Sequence, residues 1–305
     1  ASIDVSPAIV PELTEAQNAA WRKIEAQLNN HSQTSPLLIH GVTGSGKTEL
    51  YLHAVEATIK QGKNAIVLVP EISLTPQTVK RFMARFPGEV GLVHSRLSVG
   101  ERYDTWLRAR KGEIPIIVGA RSALFTPLPQ IGLIVVDEFH DASFYQRENS
   151  PIYDAVQTAI AYANNLNCPI ILGSATPDIS IYFKAQSEGW EIIHLPNRIL
   201  AHQEYLKQKA VQLSRSINIS QEEGHTAASL PLPLVRVVDM RNELRQGNRL
   251  IFSRSLQMAL QEILERQQQA ILFLNRRGSA TYVFCRHCGK ALVCPRCDLP
   301  LTLHE

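Results

Sequence analysis

The chain carries the segment Gly41-Val42-Thr43-Gly44-Ser45-Gly46-Lys47-Thr48 between a short apolar run and a stretch with helical spacing. The segment fits the P-loop pattern Gly-x-x-x-x-Gly-Lys-Ser/Thr, and it has the context of a P-loop, after a strand and at the start of a helix. Without that context, the same string would indicate only a glycine-rich turn. Glycines let backbone N–H groups turn inward around phosphates with no Cβ in the way. All eight residues are therefore expected to bind ATP, with Lys47 at the β- and γ-phosphates and Thr48 on Mg²⁺.

Short apolar runs alternate with helical stretches on both sides of this loop. Strands are predicted at residues 37–40, 65–69, 90–93, 114–118, 133–136 and 169–172, and helices at residues 49–60, 75–86 and 153–164. The runs are apolar and β-branched throughout, as is typical of strands buried on both faces. The alternation predicts an α/β fold with helices on both faces of a parallel sheet. A first helix is predicted to begin near Leu13 with a capping box between Thr14 and Gln17, and Gln17 is also counted among the ATP-binding residues.

The pattern divides the chain into five segments. Residues 1–12 are predicted to be a linker, residues 13–198 a first lobe, and residues 199–233 a partly helical insertion or linker. Residues 234–284 are predicted to start a second lobe, with strands at residues 235–238 and 270–274 and a helix near residues 255–267. Residues 285–305 form a cysteine-rich segment.

An acidic pair stands at the end of the fifth predicted strand, in Val135-Val136-Asp137-Glu138-Phe139-His140. An acidic pair at a strand end is often only a turn. Next to a P-loop, however, Asp137 is predicted to hold Mg²⁺ and Glu138 to orient or deprotonate the attacking water. His140 is predicted to link the nucleotide site to the segment Gly173-Ser174-Ala175-Thr176-Pro177, a structural histidine being the alternative.

Other candidate residues also follow predicted strands. Because the carboxyl ends of parallel strands form the ligand-binding edge of such a sheet, Arg121, Ser122 and Thr176 are expected to contact DNA or couple it to hydrolysis. Phe144 and Tyr145 are predicted to form an aromatic loop on which a single-stranded base stacks. Ordinary core packing is the alternative for both rings.

Four of the five cysteines form two pairs, Cys285 with Cys288 and Cys294 with Cys297. Paired thiolates at this spacing predict Zn²⁺ ligation in a reducing compartment rather than disulfides. A redox Cys-x-x-Cys motif is the alternative, but it expects a helix N-terminus in a thioredoxin-like unit, which is not evident here. The four thiolates suit either one tetrahedral site or two half-sites.

Composition sets the outer limits. Hydrophobic residues make up 45% and charged residues 19% of the 305 residues, which excludes a disordered chain and leaves room for two domains. The net charge of +3 permits nucleic-acid binding without establishing it. No apolar run approaches the roughly 20 residues of a membrane span, so no membrane contact is expected and the cytoplasm is the expected compartment.

Taken together, these motifs resemble the primosomal protein N′ (PriA) family of bacterial replication-restart helicases, in superfamily 2. The resemblance rests on residues 41–48, 68–77, 121–125, 173–177 and the cysteine pairs, and its most specific element is Leu274-Asn275-Arg276-Arg277-Gly278 just before them. The chain departs from the family at Phe139, where a second Glu is usual, and in the length of residues 199–233.

The resemblance implies a P-loop NTPase of RecA-like fold and an ATP-dependent helicase that moves 3′ to 5′ on single-stranded DNA. It also implies forked DNA, primosome proteins and single-strand-binding proteins as partners. The chain is then expected to be a central fragment, which the family continues with a second-lobe arginine motif and four further cysteines in two interleaved zinc sites. Another superfamily 2 ATPase, or a nucleotide-binding fragment without turnover, are the alternatives.

Zinc should be bound poorly by residues 1–305 alone. Only five residues separate Cys288 from Cys294, whereas a single site built from two such pairs usually has about 12–20 residues between them. The resemblance points the same way, because each pair would find its partner further along the chain. Zinc stoichiometry measured after chelator treatment checks this, and one tightly held Zn²⁺ per chain would show that the four-cysteine site is correct instead.

Overall fold

The computed structural model describes residues 10–30, 35–71, 76–147, 150–202, 227–230 and 234–273. The chain divides into two compact units between Leu232 and Pro233. Within the part of the chain that is described, no helix has both the length and the apolar character needed to span a bilayer.

The first unit alternates strands and helices in the predicted manner. Its helices are α1 Glu15–Asn29, α2 Lys47–Lys60, α3 Pro76–Arg85, α4 Val99–Arg110, α5 Ala155–Leu166 and α6 Ile179–Ser187. Its strands are β1 Leu37–Gly41, β2 Asn64–Leu68, β3 Val90–Val93, β4 Ile116–Gly119, β5 Ile131–Asp137, β6 Tyr145–Gln146, β7 Tyr153–Asp154, β8 Ile170–Ser174, β9 Glu191–Leu195, β10 Arg198–His202 and β11 Ala227–Leu230. The capping box predicted for α1 is confirmed, because Thr14 and Gln17 exchange both hydrogen bonds.

Seven of these strands form one parallel sheet in the order β3-β4-β2-β5-β8-β1-β9. The predicted parallel sheet is thus confirmed, and β9 adds a seventh strand beside β1. The order places β1, which leads into the P-loop, next to β8, and β8 next to β5. The loops that follow these three strands therefore meet at one edge of the sheet, as the doubly wound topology requires.

Helices cover both faces of the sheet, which gives two separate cores. Alternate residues along each strand point to opposite faces. Leu37 and Ile39 of β1 pack into a cluster with α1, α2 and α3, whereas Leu38 packs into the other cluster with α5 and α6. Burial on both sides explains why the strands are apolar at nearly every position.

The ends of the predicted insertion form strands rather than helix. β10 and β11 pair antiparallel, with Arg198 opposite Leu230. Residues 203–226 lie outside the described residues, so the partly helical insertion or linker stays a prediction. A second short antiparallel pair joins β6 and β7, and it was also not predicted.

The second unit differs from the prediction. The predicted helix is confirmed as Arg254–Glu265, and a shorter helix covers Met240–Arg245. The strand predictions are wrong for residues 235–238 and for the described part of residues 270–274, which have no regular structure. Val237 and Ile271 are 93% and 95% exposed. A strand needs a neighbour to accept its backbone hydrogen bonds and a layer to cover its side chains, and none is present among the described residues.

An ion-pair cluster joins α2 to α3 beside the nucleotide loop. Arg85 Nη1 lies 3.4 Å from Glu49 Oε1, and Arg85 Nη2 lies 3.0 Å from Glu56 Oε2. The arginine side chain is 8% exposed and that of Glu49 is 18% exposed. Burial raises the pKa of Glu49, and the guanidinium of Arg85 acts against that rise. Arg85 therefore keeps a carboxylate charged in a poorly solvated place.

Arg85→Met should lower the free energy of unfolding by about 1–2 kcal/mol, because Glu49 would lose its nearest cation while the aliphatic stem is kept. The same substitution at Arg108, whose pair with Glu113 is exposed on both sides, should change it by less than about 0.5 kcal/mol. Urea denaturation measures both variants. Equal effects at the two positions would show that the buried cluster contributes no more than a surface pair.

Candidate nucleotide site

The P-loop connects the end of β1 to the start of α2. Val42 N–H donates to the carbonyl of Leu195 at 3.1 Å, and Ser45 N–H donates to that of Val42 at 3.0 Å. Gly46 has a φ of 82°, in the left-handed region. A Cβ there would overlap the amide nitrogen of Gln17, so glycine is required both by the backbone and by the available space.

Lys47 is the first residue of α2 and is almost fully buried, with 7% of its surface exposed. Its Nζ donates to the carbonyl of Gly41 at 2.8 Å and lies 3.4 Å from Glu138 Oε1. Since a buried ammonium must have partners, the loop's own carbonyl and the acidic pair supply them. Both partners lie at the carboxyl edge of the sheet, so the predicted loop and the predicted acidic pair do come together.

Two observations test whether the loop fits a phosphate group. Ser45 Oγ is buried and has no hydrogen-bond partner among the described residues, and such atoms are rare in folded proteins. It lies in a loop that opens a helix, where the helix dipole already favours negative charge. Thr43 and Gly44 are exposed and Thr48 is half-buried. The loop therefore holds the hydroxyl of Ser45, without a partner among the described residues, beside a buried ammonium group, and this combination suits a phosphate.

Gln17 touches the loop from α1. Its Nε2 donates to the carbonyl of Gly46 at 3.3 Å, while its Oε1 accepts from Thr14 N–H at 3.0 Å. The side chain is 4% exposed. Both ends of the amide are thus engaged by protein, and what the structure shows is a contact with the loop. Direct contact with ATP stays a prediction.

The two carboxylates of the acidic pair, Asp137 and Glu138, have more negative charge than Lys47 alone balances. Burial raises the pKa of Asp137 to about 6, and the adjacent charge of Glu138 acts in the same direction. Glu138 has a φ of 48°, an uncommon backbone conformation for a residue with a side chain and one found at functional sites. A divalent cation would restore the charge balance, and hard cations prefer such oxygen ligands. Asp137 and Thr48 therefore suit Mg²⁺, which binds few protein groups and keeps several waters.

A chain of contacts runs from the acidic pair to the start of the 173–177 segment. Ala175 N–H donates to Glu138 Oε2 at 3.4 Å, and His140 Nδ1 lies 3.6 Å from the same oxygen. His140 Nδ1 and Ser174 Oγ share a hydrogen bond of 2.7 Å, and Thr176 N–H donates to Ser174 Oγ at 2.9 Å. The geometry expected of His140 is present, and its role in coupling stays a prediction.

The two predicted stacking rings have different environments. Phe144 is 2% exposed and packs in the core cluster on the α5 and α6 side, so its assignment as a base-stacking residue is corrected to core packing. Tyr145 is 42% exposed, with the guanidinium of Arg147 5.1 Å from its ring centre. Phe144 ends a 3-10 turn that covers Ala142–Phe144, whereas Tyr145 begins β6.

Arg121 holds the aromatic segment in place. Its Nη1 donates to the carbonyls of Ser143 at 2.9 Å and Tyr145 at 3.4 Å. Ser122 and Thr176 are exposed at loops that follow β4 and β8. The residues predicted to contact DNA therefore lie at the carboxyl edge of the sheet. The guanidinium of Arg121, however, already donates to backbone carbonyls.

Sequence analysis missed Tyr51, whose hydroxyl donates to Asp137 Oδ1 at 3.0 Å. A signal was available, because Tyr51 stands four residues after Lys47 and thus on the same side of α2.

The predicted zinc ligands Cys285, Cys288, Cys294 and Cys297 lie outside the described residues. Across the described ranges, no group of three or more His, Cys, Asp or Glu side chains is placed to hold a metal ion.

Two solved helicase structures align loosely with the chain. One is RecG bound to a three-way DNA junction, with 17% identity and a TM-score of 0.46 over 68% of this chain and 28% of that chain. The other is the Hef helicase domain of Pyrococcus furiosus, with 23% identity and a TM-score of 0.42 over 57% and 37%. Family membership rests on the sequence matches that follow.

Residues 11–179 match the family described as type III restriction enzyme, res subunit. The replication restart protein PriA of Synechocystis is 46% identical over 303 residues, which cover 99% of this chain and 33% of that protein. The protein of the same name from Bacillus subtilis is 43% identical over 293 residues, which cover 96% and 33%. The chain spans about a third of the length of these curated relatives. The predicted resemblance to the PriA proteins is therefore confirmed, and the chain belongs to the helicase-type family described as type III restriction enzyme, res subunit.

Proposed function

We propose that the chain is the ATP-binding part of a DNA helicase that acts in the restart of stalled replication forks. The observation that carries the proposal is the 3.4 Å contact between Lys47 Nζ and Glu138 Oε1, because it joins the phosphate-binding loop to the acidic pair in one site. The PriA relatives are named as replication restart proteins, which supports the restart role.

Nucleotide binding changes the partners of groups that are already in place. Lys47 exchanges the carbonyl of Gly41 for phosphate oxygens, so the ammonium gains an acceptor that is itself charged. Ser45 Oγ, which has no partner among the described residues, gains an acceptor. The helix dipole of α2 adds to the attraction. The loop thus binds phosphate without rearranging the sheet.

Hydrolysis needs a carboxylate that can orient water and accept a proton. Glu138 suits this role, because its backbone hydrogen-bonds Asp137 and its Oε2 is held by Ala175 N–H. Thr48 and Asp137 would hold Mg²⁺, which supplies charge neutralisation at the phosphate oxygens. The cation would favour the ionised form of Asp137, and Glu138 would be free to orient the attacking water.

Coupling to DNA follows the contacts from Glu138 through His140 to Ser174 and Thr176. A change in the state of Glu138 reaches Ser174 through one histidine ring. Thr176 and Ser122 are exposed and offer hydroxyl groups to the DNA backbone, which favours binding without sequence preference. Tyr145 offers a ring on which a base stacks. Movement in the 3′ to 5′ direction is the polarity proposed for this motor.

The rest of the proposal concerns the longer protein. Residues 234–284 begin a second lobe, whose later part supplies an arginine to the ATP site. Residues 285–305 supply half of each of two zinc sites that are completed further along the chain. Single-stranded and forked DNA, primosome proteins and single-strand-binding proteins are the proposed partners. The cytoplasm of a bacterium is the proposed compartment.

A nucleotide-binding unit without turnover is the second candidate. It is favoured by the exposed apolar side chains and missing strands of the second unit within the described residues. An ATPase assay of residues 1–305, with and without single-stranded DNA, separates the two candidates. Any DNA-stimulated turnover favours the motor.

Lys47→Ala should weaken ATP binding by about 10- to 100-fold, since a hydrogen bond from a charged group contributes about 1.5–3 kcal/mol. Lys60→Ala is the matched control, because Lys60 lies at the other end of α2 and is 73% exposed. Calorimetric titration with Mg-ATP measures both. If the Lys47 variant bound like the parent while remaining folded, the P-loop would not be the nucleotide site.

Glu138→Gln should reduce turnover by about 10²- to 10⁴-fold while changing ATP affinity by only a few-fold. The parent chain is itself expected to hydrolyse ATP slowly, because an arginine from the completed second lobe normally accelerates the reaction. Single-turnover assays therefore compare the two proteins, with Glu113→Gln on the surface as control. Full turnover by the Glu138 variant would remove Glu138 from catalysis, and fast multiple turnover by the parent would show that no further arginine is needed.

A further inference from the structure

Tyr51 brings a polar group into the floor of the nucleotide site. It lies one turn after Lys47 on α2, and it is 1% exposed. Its ring belongs to the core cluster on the α1 to α3 side, while its hydroxyl reaches Asp137 Oδ1 at 3.0 Å. A buried tyrosine hydroxyl needs a partner, and here that partner is the carboxylate proposed to hold Mg²⁺.

The hydrogen bonds that Asp137 accepts from the described residues both fall on Oδ1. One comes from the Tyr51 hydroxyl and the other from Glu138 N–H at 3.1 Å. The terminal torsion of an aspartate is broad, so an untethered carboxylate samples many orientations. Two donors on Oδ1 fix that torsion and leave Oδ2 as the oxygen for the cation or for one of its water ligands.

The space for the Tyr51 hydroxyl is provided by Gly173. Asp137 and Gly173 are partners in the ladder between β5 and β8. A Cβ on Gly173 would overlap the hydroxyl oxygen of Tyr51. The phenol of Tyr51 therefore lies over the pair formed by Asp137 and Gly173 in neighbouring strands. Any side chain at position 173 would displace it.

We propose that Tyr51 is a positioning residue for Mg²⁺, which acts by fixing the orientation of the Asp137 carboxylate. The inference rests on the proposed function, because it takes Asp137 as the Mg²⁺ ligand. A tyrosine that only filled the core would contribute through its ring, and phenylalanine would replace it fully. A positioning residue contributes through its hydroxyl, and phenylalanine would not replace it.

Tyr51→Phe separates these two roles in residues 1–305. The affinity for a non-hydrolysable ATP analogue is measured by calorimetry in saturating Mg²⁺ and again in EDTA. The parent should bind more tightly in Mg²⁺, and the variant should lose about tenfold of that gain, as is usual when a partner of a metal ligand is removed. Affinity in EDTA and the thermal unfolding midpoint should stay close to those of the parent. Tyr162→Phe, which removes a hydroxyl from α5, should change neither affinity.

A double-mutant cycle tests whether the effect passes through Asp137. In an Asp137→Asn background, Tyr51→Phe should cause no further loss of the Mg²⁺-dependent gain. An unchanged gain in Tyr51→Phe, or an equal loss in EDTA, would overturn the positioning role. If the parent bound no nucleotide, or bound it without any gain from Mg²⁺, the proposed function itself would fail, which is a different result.

Discussion

The buried ammonium group of Lys47 is the charge on which the ligand edge of the sheet depends. Three carboxyl ends of strands converge there, and they bring Asp137 and Glu138 side by side in a poorly solvated place. Lys47 Nζ lies 3.4 Å from Glu138 Oε1, and burial together with the adjacent charge of Glu138 raises the pKa of Asp137 to about 6. A divalent cation beside these carboxylates would offset the cost of burying their charges.

Contacts from neighbouring elements support the site. Gln17 holds Gly46 from α1, and Arg85 holds Glu49 from α3, so both flanks of the loop and of α2 are fixed from neighbouring helices. Tyr51 holds Asp137 from below. Each contact joins two different elements, so the loop and α2 are fixed by the surrounding fold.

The sequence predicted most of the first unit because its physical signals are local. The P-loop string, the acidic pair after an apolar run, and the period of the strands each depend on a few neighbouring residues, and all appeared where expected. The contact of Tyr51 with Asp137 spans 86 positions, so the local spacing of Tyr51 from Lys47 indicates the side of α2 on which it lies but not its partner. Phe144 was misassigned because an aromatic residue in a loop looks the same in sequence whether its ring faces the solvent or the core.

The second unit was predicted less well for a different reason. Its apolar stretches around Val237 and Ile271 have the composition of buried strands. Composition, however, indicates only a tendency of a segment to form a strand beside another strand. Pairing itself requires another strand, and among the described residues none is offered. The helix Arg254–Glu265, by contrast, satisfies its own backbone within one segment and was predicted closely.

The pairing of β10 with β11 has a consequence for the length of the chain between them. Arg198 lies opposite Leu230, so the backbone returns to within about 5 Å of the place where it departed. Ile199 N–H also donates to Gly44 at 2.8 Å, which pins the departure point to the rim of the P-loop. Residues can be added or removed between the two strands at a closure cost that grows only with the logarithm of length, about 0.6 kcal/mol for each doubling. The insertion is therefore a place where related proteins can diverge in size while the phosphate-binding loop keeps its anchor.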